Sequence, residues 1–311
     1  MENPGTEKSE KAAKSLFLFF GENVWSLSKE LQRWIREFEK KYENGLNVDV
    51  MDGTEKNAAE IQSALETMPF LTDRRLIIIK NFLNSASAKE QEKIAEKLEN
   101  ISETTIAVFY EEEMPDKRTT LFRALKNKGT LKEFALFSDR KLMEWIEQQA
   151  VKYNTRFTPE TGKKLLEQVG PDLWSLENEI QKLGAYCKNR AVTPQDIEML
   201  VAPNLTTSVF KMTDAISQKN VEQAIKIFHL LTENAEPIMT IFAMLARHFR
   251  LLLLMNDLKK QNYRTNEIYG EMKKYDPKAH PYAISIATGQ AKNFKMEDVE
   301  NFEFNEEGDD F

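Results

Sequence analysis

The segment that directly follows the first predicted strand lies where an α/β protein would carry a phosphate-binding loop. It reads Gly-Glu-Asn-Val-Trp-Ser-Leu-Ser over residues 21–28. A P-loop needs a second glycine, so that the backbone can approach the phosphates, followed by Lys and then Ser or Thr. Neither that glycine nor the lysine is present, and the carboxylate of Glu22 would repel a phosphate. We therefore predict no nucleotide site and no cofactor.

The residues that carry metal or nucleophilic chemistry are few and scattered. The chain has three histidines, His229, His248 and His280, and one cysteine, Cys187. Their spacing fits no zinc-ligand pattern, and Cys187 has no neighbouring partner residues that would activate it. We interpret Cys187 as structural, and we expect neither catalytic residues nor a bound metal.

An acidic run, Glu111-Glu112-Glu113, follows a predicted strand directly. Carboxylates in this position could hold Mg²⁺, since this ion prefers oxygen ligands. A phosphate-binding loop normally accompanies such a site, and none is predicted here. We favour the alternative, in which the three carboxylates lie in a solvated loop.

An apolar pair lies between a predicted helix and a predicted strand, in the sequence Met-Pro-Phe-Leu-Thr-Asp-Arg-Arg of residues 68–75. Pro69 breaks the helix and leaves Phe70 and Leu71 in a short connection. Either these two side chains tuck under the sheet or they project as an exposed plug, and the two interpretations are equally open. If exposed, each side chain would contribute roughly 1.5 to 3 kcal/mol on burial in a partner's pocket, enough to anchor a complex.

The elements that position these residues alternate along the first part of the chain. Short apolar runs predict strands at residues 16–20, 47–51, 76–79, 104–110 and 130–134. Amphipathic patterns predict helices at residues 27–42, 55–65, 88–98, 116–125 and 139–153. Such alternation indicates right-handed βαβ crossovers and a mainly parallel sheet. We predict an α/β domain that ends near residue 138.

Beyond residue 138 the pattern becomes helical. Thr158-Pro159, Gly170-Pro171 and Thr193-Pro194 each resemble a cap followed by proline in a first helical turn. They divide residues 139–204 into the short helices of a small helical domain. Longer helices are predicted at residues 209–217, 221–232 and 237–260, with weaker ones around Thr265 and Tyr282, in a third domain of residues 205–296. The predicted fold class is an α/β domain followed by two all-α domains.

Composition and charge place limits on function. Hydrophobic residues make up 41% and charged residues 30% of the chain, which is typical of a folded globular protein. The formal net charge is −7, but residues 297–311 alone carry eight acids and no Lys or Arg, which leaves about +1 on the rest. This balance neither supports nor excludes contact with DNA. We predict that this acidic tail and residues 1–14 are disordered.

Several features predict a cytoplasmic protein without a membrane span. A single cysteine cannot form an intramolecular disulfide, and residues 1–15 are polar and lysine-rich, unlike a signal peptide. The most apolar stretch, residues 238–258, is interrupted by Arg247, His248 and Arg250. Charges there would be costly in the middle of a bilayer, so we predict a buried helix.

Several stretches, in this order along the chain, resemble the delta subunits of the bacterial DNA polymerase III clamp loader. Residues 18–22 resemble the opening strand and Gly-Glu turn of this family. Residues 69–76 are similar to its pattern of a proline, two hydrophobic residues and an acidic-Arg-Arg-Leu run. The second-domain likeness lies in residues 172–183 and 192–197, and the third-domain likeness in residues 209–216 and 245–252. Each motif is loose alone, but the combination is specific and covers about residues 15–295.

The resemblance implies an AAA+-like first domain, residues 15–138, that has lost nucleotide binding, and a helical collar domain for oligomerisation at residues 205–296. It implies a non-catalytic subunit of a DNA-directed DNA polymerase holoenzyme that functions in DNA replication. The implied partners are the sliding clamp, whose ring the subunit holds open, the other clamp-loader subunits, which hydrolyse ATP, and primer-template DNA. By position, Phe70 and Leu71 match the pair that inserts into the clamp, with Met68 and Pro69 shaping the loop.

Two departures from the family pattern accompany the likeness. His248 stands where glutamine is commoner, and the acidic tail replaces the expected final collar helices after Phe294. Two other functions stay open on the residues alone: a divergent AAA+ ATPase with a degenerate phosphate loop, and a non-catalytic helical scaffold without a clamp partner.

Overall fold

The computed structural model describes residues 15–42, 45–98, 101–233, 236–276 and 279–291. The tails predicted as disordered, residues 1–14 and 297–311, lie outside these ranges. The chain divides into two compact units, with the break between Leu136 and Phe137. The first unit is α/β and the second is helical, so the predicted α/β fold followed by an all-α part is confirmed.

A five-stranded parallel sheet forms the centre of the first unit. In chain order its strands are β1 Leu16–Phe20, β2 Val48–Asp52, β3 Arg75–Lys80, β4 Thr105–Glu111 and β5 Thr130–Glu133. Their order in the sheet is β2-β3-β4-β1-β5, so β2 and β5 are the edge strands. The strands lie within two residues of their predicted positions, because short runs of strand-forming residues bounded by turn residues mark them, although only the inner strands β1, β3 and β4 are largely buried.

Helices cover both faces of this sheet. Leu27, Leu31 and Phe38 of the first helix pack with Phe19 on one face. Residues of the other four helices of this unit pack with Leu18 and other strand residues on the opposite face. A 3-10 turn, Gly45–Asn47, leads into β2. The helices of this unit are α1 Val24–Tyr42, α2 Ala58–Glu66, α3 Phe82–Ser85, α4 Ala88–Lys97 and α5 Thr120–Lys128.

Two sequence-based details of the helices were wrong. The helix predicted from residue 116 begins at Thr120, because Asp116 accepts a hydrogen bond from the Arg118 amide in a turn, and Thr119 caps the helix. Gly170-Pro171 is not a cap followed by a first turn. Gly170 ends one helix with φ +81°, and Asp172 caps the next.

The second unit contains nine helices within its described residues. The predicted Thr-Pro starts at residues 158–159 and 193–194 are confirmed, each with the threonine as cap and the proline in the first turn. The bounds are α6 Asp139–Lys152, α7 Pro159–Val169, α8 Leu173–Cys187, α9 Pro194–Leu200, α10 Leu205–Ser217, α11 Val221–Glu233, α12 Ile238–Lys260, α13 Thr265–Tyr275 and α14 Pro281–Gln290.

Among the described residues, α12 is the one helix long and apolar enough to be compared with a membrane span. One stripe of its side chains packs inside the second unit. Ile241 and Leu245 pack with α10 and α11, while Leu252 and Met255 pack with α13 and α14. The buried side chain of His248 lies between these two cores. This packing is that of a core helix of the second unit.

Candidate docking site

Two candidate regions lie at opposite edges of the parallel sheet. Residues 21–28 follow β1 and therefore lie at the carboxyl edge, where ligands usually bind in open α/β sheets. The loop of residues 67–74 precedes β3 and lies at the amino edge, next to the start of the edge strand β2. We call this segment the 67–74 loop.

At the carboxyl edge, the amide groups that could cradle a phosphate are already bonded to the protein. The Gly21 amide donates to the carbonyl of Glu111 at 3.1 Å, and the Asn23 amide donates to that of Phe134 at 3.0 Å. Gly21 has φ +136°, and a Cβ at this position would lie 2.4 Å from the oxygen of Phe134. This turn is built for close approach to the chain after β5, which agrees with the sequence argument against a phosphate loop.

Glu111 corrects the prediction of a solvated acidic loop. It is the last residue of β4 and is fully buried, whereas Glu112 and Glu113 are exposed. Its carboxylate accepts hydrogen bonds from the amides of Leu83 at 2.8 Å and Asn84 at 3.3 Å. Burial raises the pKa of Glu111 to about 7, although these backbone hydrogen bonds act in the opposite direction. Glu111 thus ties α3 to the end of β4.

Within the described ranges, no group of three or more His, Cys, Asp or Glu side chains is arranged to bind a metal ion. The buried thiol of Cys187 faces the carboxylate of Asp196, with 3.8 Å between Sγ and Oδ2. Burial, and next the negative charge of Asp196, raise the pKa of Cys187. This environment disfavours the reactive thiolate, in agreement with the structural role expected for this residue.

The 67–74 loop projects three large apolar side chains into solvent. Met68 is 74%, Phe70 62% and Leu71 83% exposed, and Pro69 is partly buried between them. The interpretation that Phe70 and Leu71 tuck under the sheet is therefore wrong. Large apolar groups clustered on one exposed loop are typical of an interaction site.

Both ends of the 67–74 loop are fixed. At its start, the Thr67 hydroxyl donates to the carbonyl of Ser63 at 2.9 Å and so closes the last turn of α2. At its end, the Thr72 hydroxyl donates to the carbonyl of Arg74 at 2.9 Å. Arg75 then donates to the carboxylate of Asp49 on β2 at 2.6 Å. Arg75, the second arginine of the family-like run, is thus engaged in holding the two strands together.

The middle of the loop is fixed by Asn47, the last residue of the 3-10 turn. Its side-chain Nδ2 donates to the carbonyl of Phe70 at 2.8 Å, and its Oδ1 accepts from the amide of Phe70 at 2.7 Å. Asn47 itself is 2% exposed. The next loop residue, Leu71, has φ +56°, a left-handed conformation that is unfavourable for leucine. The exposed side chains of Phe70 and Leu71 therefore project from a backbone that is held in place.

Sequence reasoning found the exposed residues but missed their support. Asn47 was assigned only as the first residue of a strand, and Leu46, which is 71% exposed beside it, was not singled out. No local pattern marks Asn47 as a partner of Phe70, because the two residues are 23 positions apart. Only the pairing of β2 with β3 brings them together.

Two family models match the chain in order. The model described as DNA polymerase III, delta subunit, matches residues 17–135, and the model for the C-terminal domain of the same family matches residues 206–303. The chain belongs to the DNA polymerase III delta subunit family. Both units of this delta-family chain thus carry their own part of the match.

A sequence relative agrees with this assignment, and solved structures resemble the chain to different degrees. The chain is 26% identical over 294 residues to DNA polymerase III subunit delta of Bacillus subtilis (strain 168), covering 91% of this chain and 83% of that protein. The solved structure of the Bacillus subtilis DNA clamp loader delta protein shares the fold, with a TM-score of 0.67, 24% identity and coverage of 95% and 90% of the two chains. The Thermotoga maritima RuvB Holliday junction branch migration motor aligns with a TM-score of 0.39, 13% identity and coverage of 68% and 74%.

Proposed function

We propose that this protein is the delta subunit of a bacterial clamp loader and that it binds the sliding clamp through Met68, Pro69, Phe70 and Leu71. The supporting observation is the exposed apolar pair on a rigidly held loop, in a chain of this family. Phe70 and Leu71 are the anchors, and Met68 extends the apolar surface around them. Burial of each anchor contributes roughly 1.5 to 3 kcal/mol, so two anchors are enough for a specific complex.

Clamp opening requires only differential binding. A closed ring and an open ring are two states of the clamp, and a protein that binds the open edge more tightly shifts the population toward it. The size of the shift is limited by the ratio of the affinities for the open and the closed ring. A nearly complete change from closed to open requires a ratio of about 10⁴. The protein needs no chemistry of its own for this task, and ATP would be hydrolysed by its neighbours in the complex.

The proposed organisation has three domains, residues 15–138, 139–204 and 205–296, with the last in the collar that joins the other clamp-loader subunits. Six exposed apolar side chains on two consecutive helices of the second unit support an assembly role. We call them the α11–α12 surface: Val221, Ile225, Leu230, Ile238, Met239 and Phe242. Primer-template DNA would be bound within the assembled complex, in the cytoplasm.

The test of clamp binding is the paired substitution Phe70→Ala with Leu71→Ala. Calorimetric titration with the purified sliding clamp of the same organism should give saturable binding by the unchanged protein and a loss of at least about a hundredfold in the variant. A control pair, Tyr186→Ala with Met199→Ala, removes two exposed apolar side chains of the second unit and should leave the affinity unchanged. Undiminished binding by the Phe70 and Leu71 variant would contradict the site.

The divergent ATPase alternative is tested separately. The amides of Gly21 and Asn23 are engaged with the chain, so the proposed function predicts no binding of labelled ATP by the isolated protein, even at millimolar concentration. Saturable binding in that range, lost on substitution within residues 21–28, would favour the ATPase over the clamp-binding role.

A further inference from the structure

We infer that Asn47 is a positioning residue that pre-organises the 67–74 loop for its protein partner. This inference rests on the proposed function, because it concerns the affinity of that same loop for the clamp. Asn47 does not present its own side chain to a partner, since it is 2% exposed. It acts through the backbone of Phe70.

The contact between Asn47 and Phe70 resembles the pairing of two strands, except that a side chain takes the place of one strand's backbone. In a sheet, one residue's amide and carbonyl can both be bonded to a neighbouring strand. Here the amide and the carbonyl of Phe70 are both bonded to one carboxamide, at 2.7 and 2.8 Å. Asn47 lies directly before β2, whose pairing with β3 begins at Val48 with Leu76. The carboxamide therefore fixes a loop residue that the strand ladder does not reach.

This contact determines how the anchors are presented. Phe70 is held at its backbone while its ring remains exposed, and Leu71 follows in the left-handed conformation. Without the two hydrogen bonds from Asn47, the loop would sample other backbone states, and a partner would have to select the competent one. Affinity falls in proportion to the population of that state. We expect Asn47→Ala to weaken binding by roughly tenfold.

The chemistry is specific to a group that both donates and accepts. A carboxylate at this position would place an acceptor against the carbonyl of Phe70, whereas a protonated carboxylic acid would donate to that carbonyl and accept from the amide. Asn47→Asp should therefore bind weakly at about pH 8 and recover toward about pH 5, since burial raises the pKa of a carboxylic acid. The charged groups on adjoining elements are Asp49 and Arg75, which pair with each other, and Asp73 and Arg74 of the loop.

The experiment measures affinity for the purified sliding clamp by calorimetry, at several pH values, for the unchanged protein, Asn47→Ala and Asn47→Asp. Asn23→Ala is the matched control. Asn23 is also buried in the first unit and also makes two side-chain hydrogen bonds, to Ser26 and Ala135, but it lies at the opposite edge of the sheet. At every pH, Asn23→Ala should bind the clamp with the same affinity as the unchanged protein.

The outcomes separate the inference from the proposed function. If Asn47→Ala binds as the unchanged protein does while Phe70→Ala with Leu71→Ala fails to bind, the positioning role is wrong and the docking site stands. If the unchanged protein does not bind the clamp, the proposed function and this inference both fail. Should Asn47→Ala not fold, as judged by circular dichroism, the pH recovery of Asn47→Asp decides the question, and its absence overturns the inference.

A second readout does not depend on the clamp. Hydrogen exchange of the Phe70 amide, which donates to Asn47, should become at least about tenfold faster in Asn47→Ala and stay unchanged in Asn23→Ala. Equal exchange in all three proteins would show that the carboxamide does not hold the loop, and would overturn the inference even if affinity fell.

Discussion

Three buried polar side chains connect parts of the chain that are distant in sequence. Asn47 holds Phe70 over 23 positions, Glu111 holds Leu83 over 28, and His248 holds Gln290 over 42. A buried polar group without a partner is costly, so each of these contacts specifies one arrangement of two elements. Glu111 and His248 are titratable, so the stability that their contacts contribute depends on pH and can be measured by titration.

Glu111 should make the protein less stable as the pH rises. Burial raises its pKa from 4.5 to about 7, so its stabilising contribution is fully present below pH 4.5 and is lost as the pH rises through about 7. We expect the unfolding free energy of the unchanged protein, relative to Glu111→Gln, to fall by about 2 kcal/mol between about pH 5 and about pH 8. Urea denaturation of both proteins measures this difference, and a pH-independent difference would contradict the assignment.

His248 should have the opposite dependence. Its Nε2 lies 2.5 Å from Oε1 of Gln290, whose amide nitrogen donates to the carbonyl of Phe210, so the ring donates as the neutral tautomer. Burial lowers the pKa of His248 below 6.5, so its stabilising contribution is present above pH 6.5 and is lost as the pH falls below 6.5 and through the lowered pKa. His248→Gln keeps a donor toward Gln290 and should reduce acid sensitivity in thermal unfolding. His229→Gln, at an exposed ring, is the control and should leave it unchanged.

At the scale of elements, the sequence predicted those strands and helix starts that local residue patterns determine. Apolar runs gave the strands, and Thr-Pro pairs gave the starts of α7 and α9. The four-residue helix α3 was missed because it is too short for a periodic pattern and is held by Glu111, a distant residue. Likewise, Pro69 and two neighbouring apolar residues drew attention to Phe70 and Leu71 but left their exposure open, and the support of Phe70 by Asn47 depends on strand pairing.

Two glycines should respond in opposite directions to the same substitution. Gly21 ends β1 with φ +136°, and a Cβ there would lie 2.4 Å from a backbone oxygen. Gly21→Ala should therefore destabilise the protein by at least about 2 kcal/mol. Gly270 lies within α13, where a Cβ would point into open space, so Gly270→Ala should stabilise the protein by up to about 1 kcal/mol. Urea denaturation checks both, and a destabilised Gly270→Ala would contradict the helix packing.

At the scale of the whole molecule, the family assignment supplies what the residues alone did not. Physical reasoning left Phe70 and Leu71 equally open between a buried and an exposed position, and it gave no partner for either. The structure exposes both side chains, and the family assignment places the chain among DNA polymerase III delta subunits, which is the basis of the partner proposed above. A second set of exposed apolar side chains, on α11 and α12, lies in the other unit. If each unit binds its own partner, a substitution in one unit should abolish only the binding that this unit provides.

Reciprocal variants test whether the two surfaces are independent. Phe70→Ala with Leu71→Ala should abolish clamp binding and leave assembly with the other clamp-loader subunits intact. Ile225→Glu with Met239→Glu places charges on the α11–α12 surface, where both side chains are at least half exposed, so the chain should still fold. This pair should abolish assembly, because burying an unpaired carboxylate in an interface is costly, and leave clamp affinity unchanged. Size-exclusion chromatography of each variant with clamp, or with the remaining subunits, measures both. Loss of both activities in either variant would mean that the surfaces act as one.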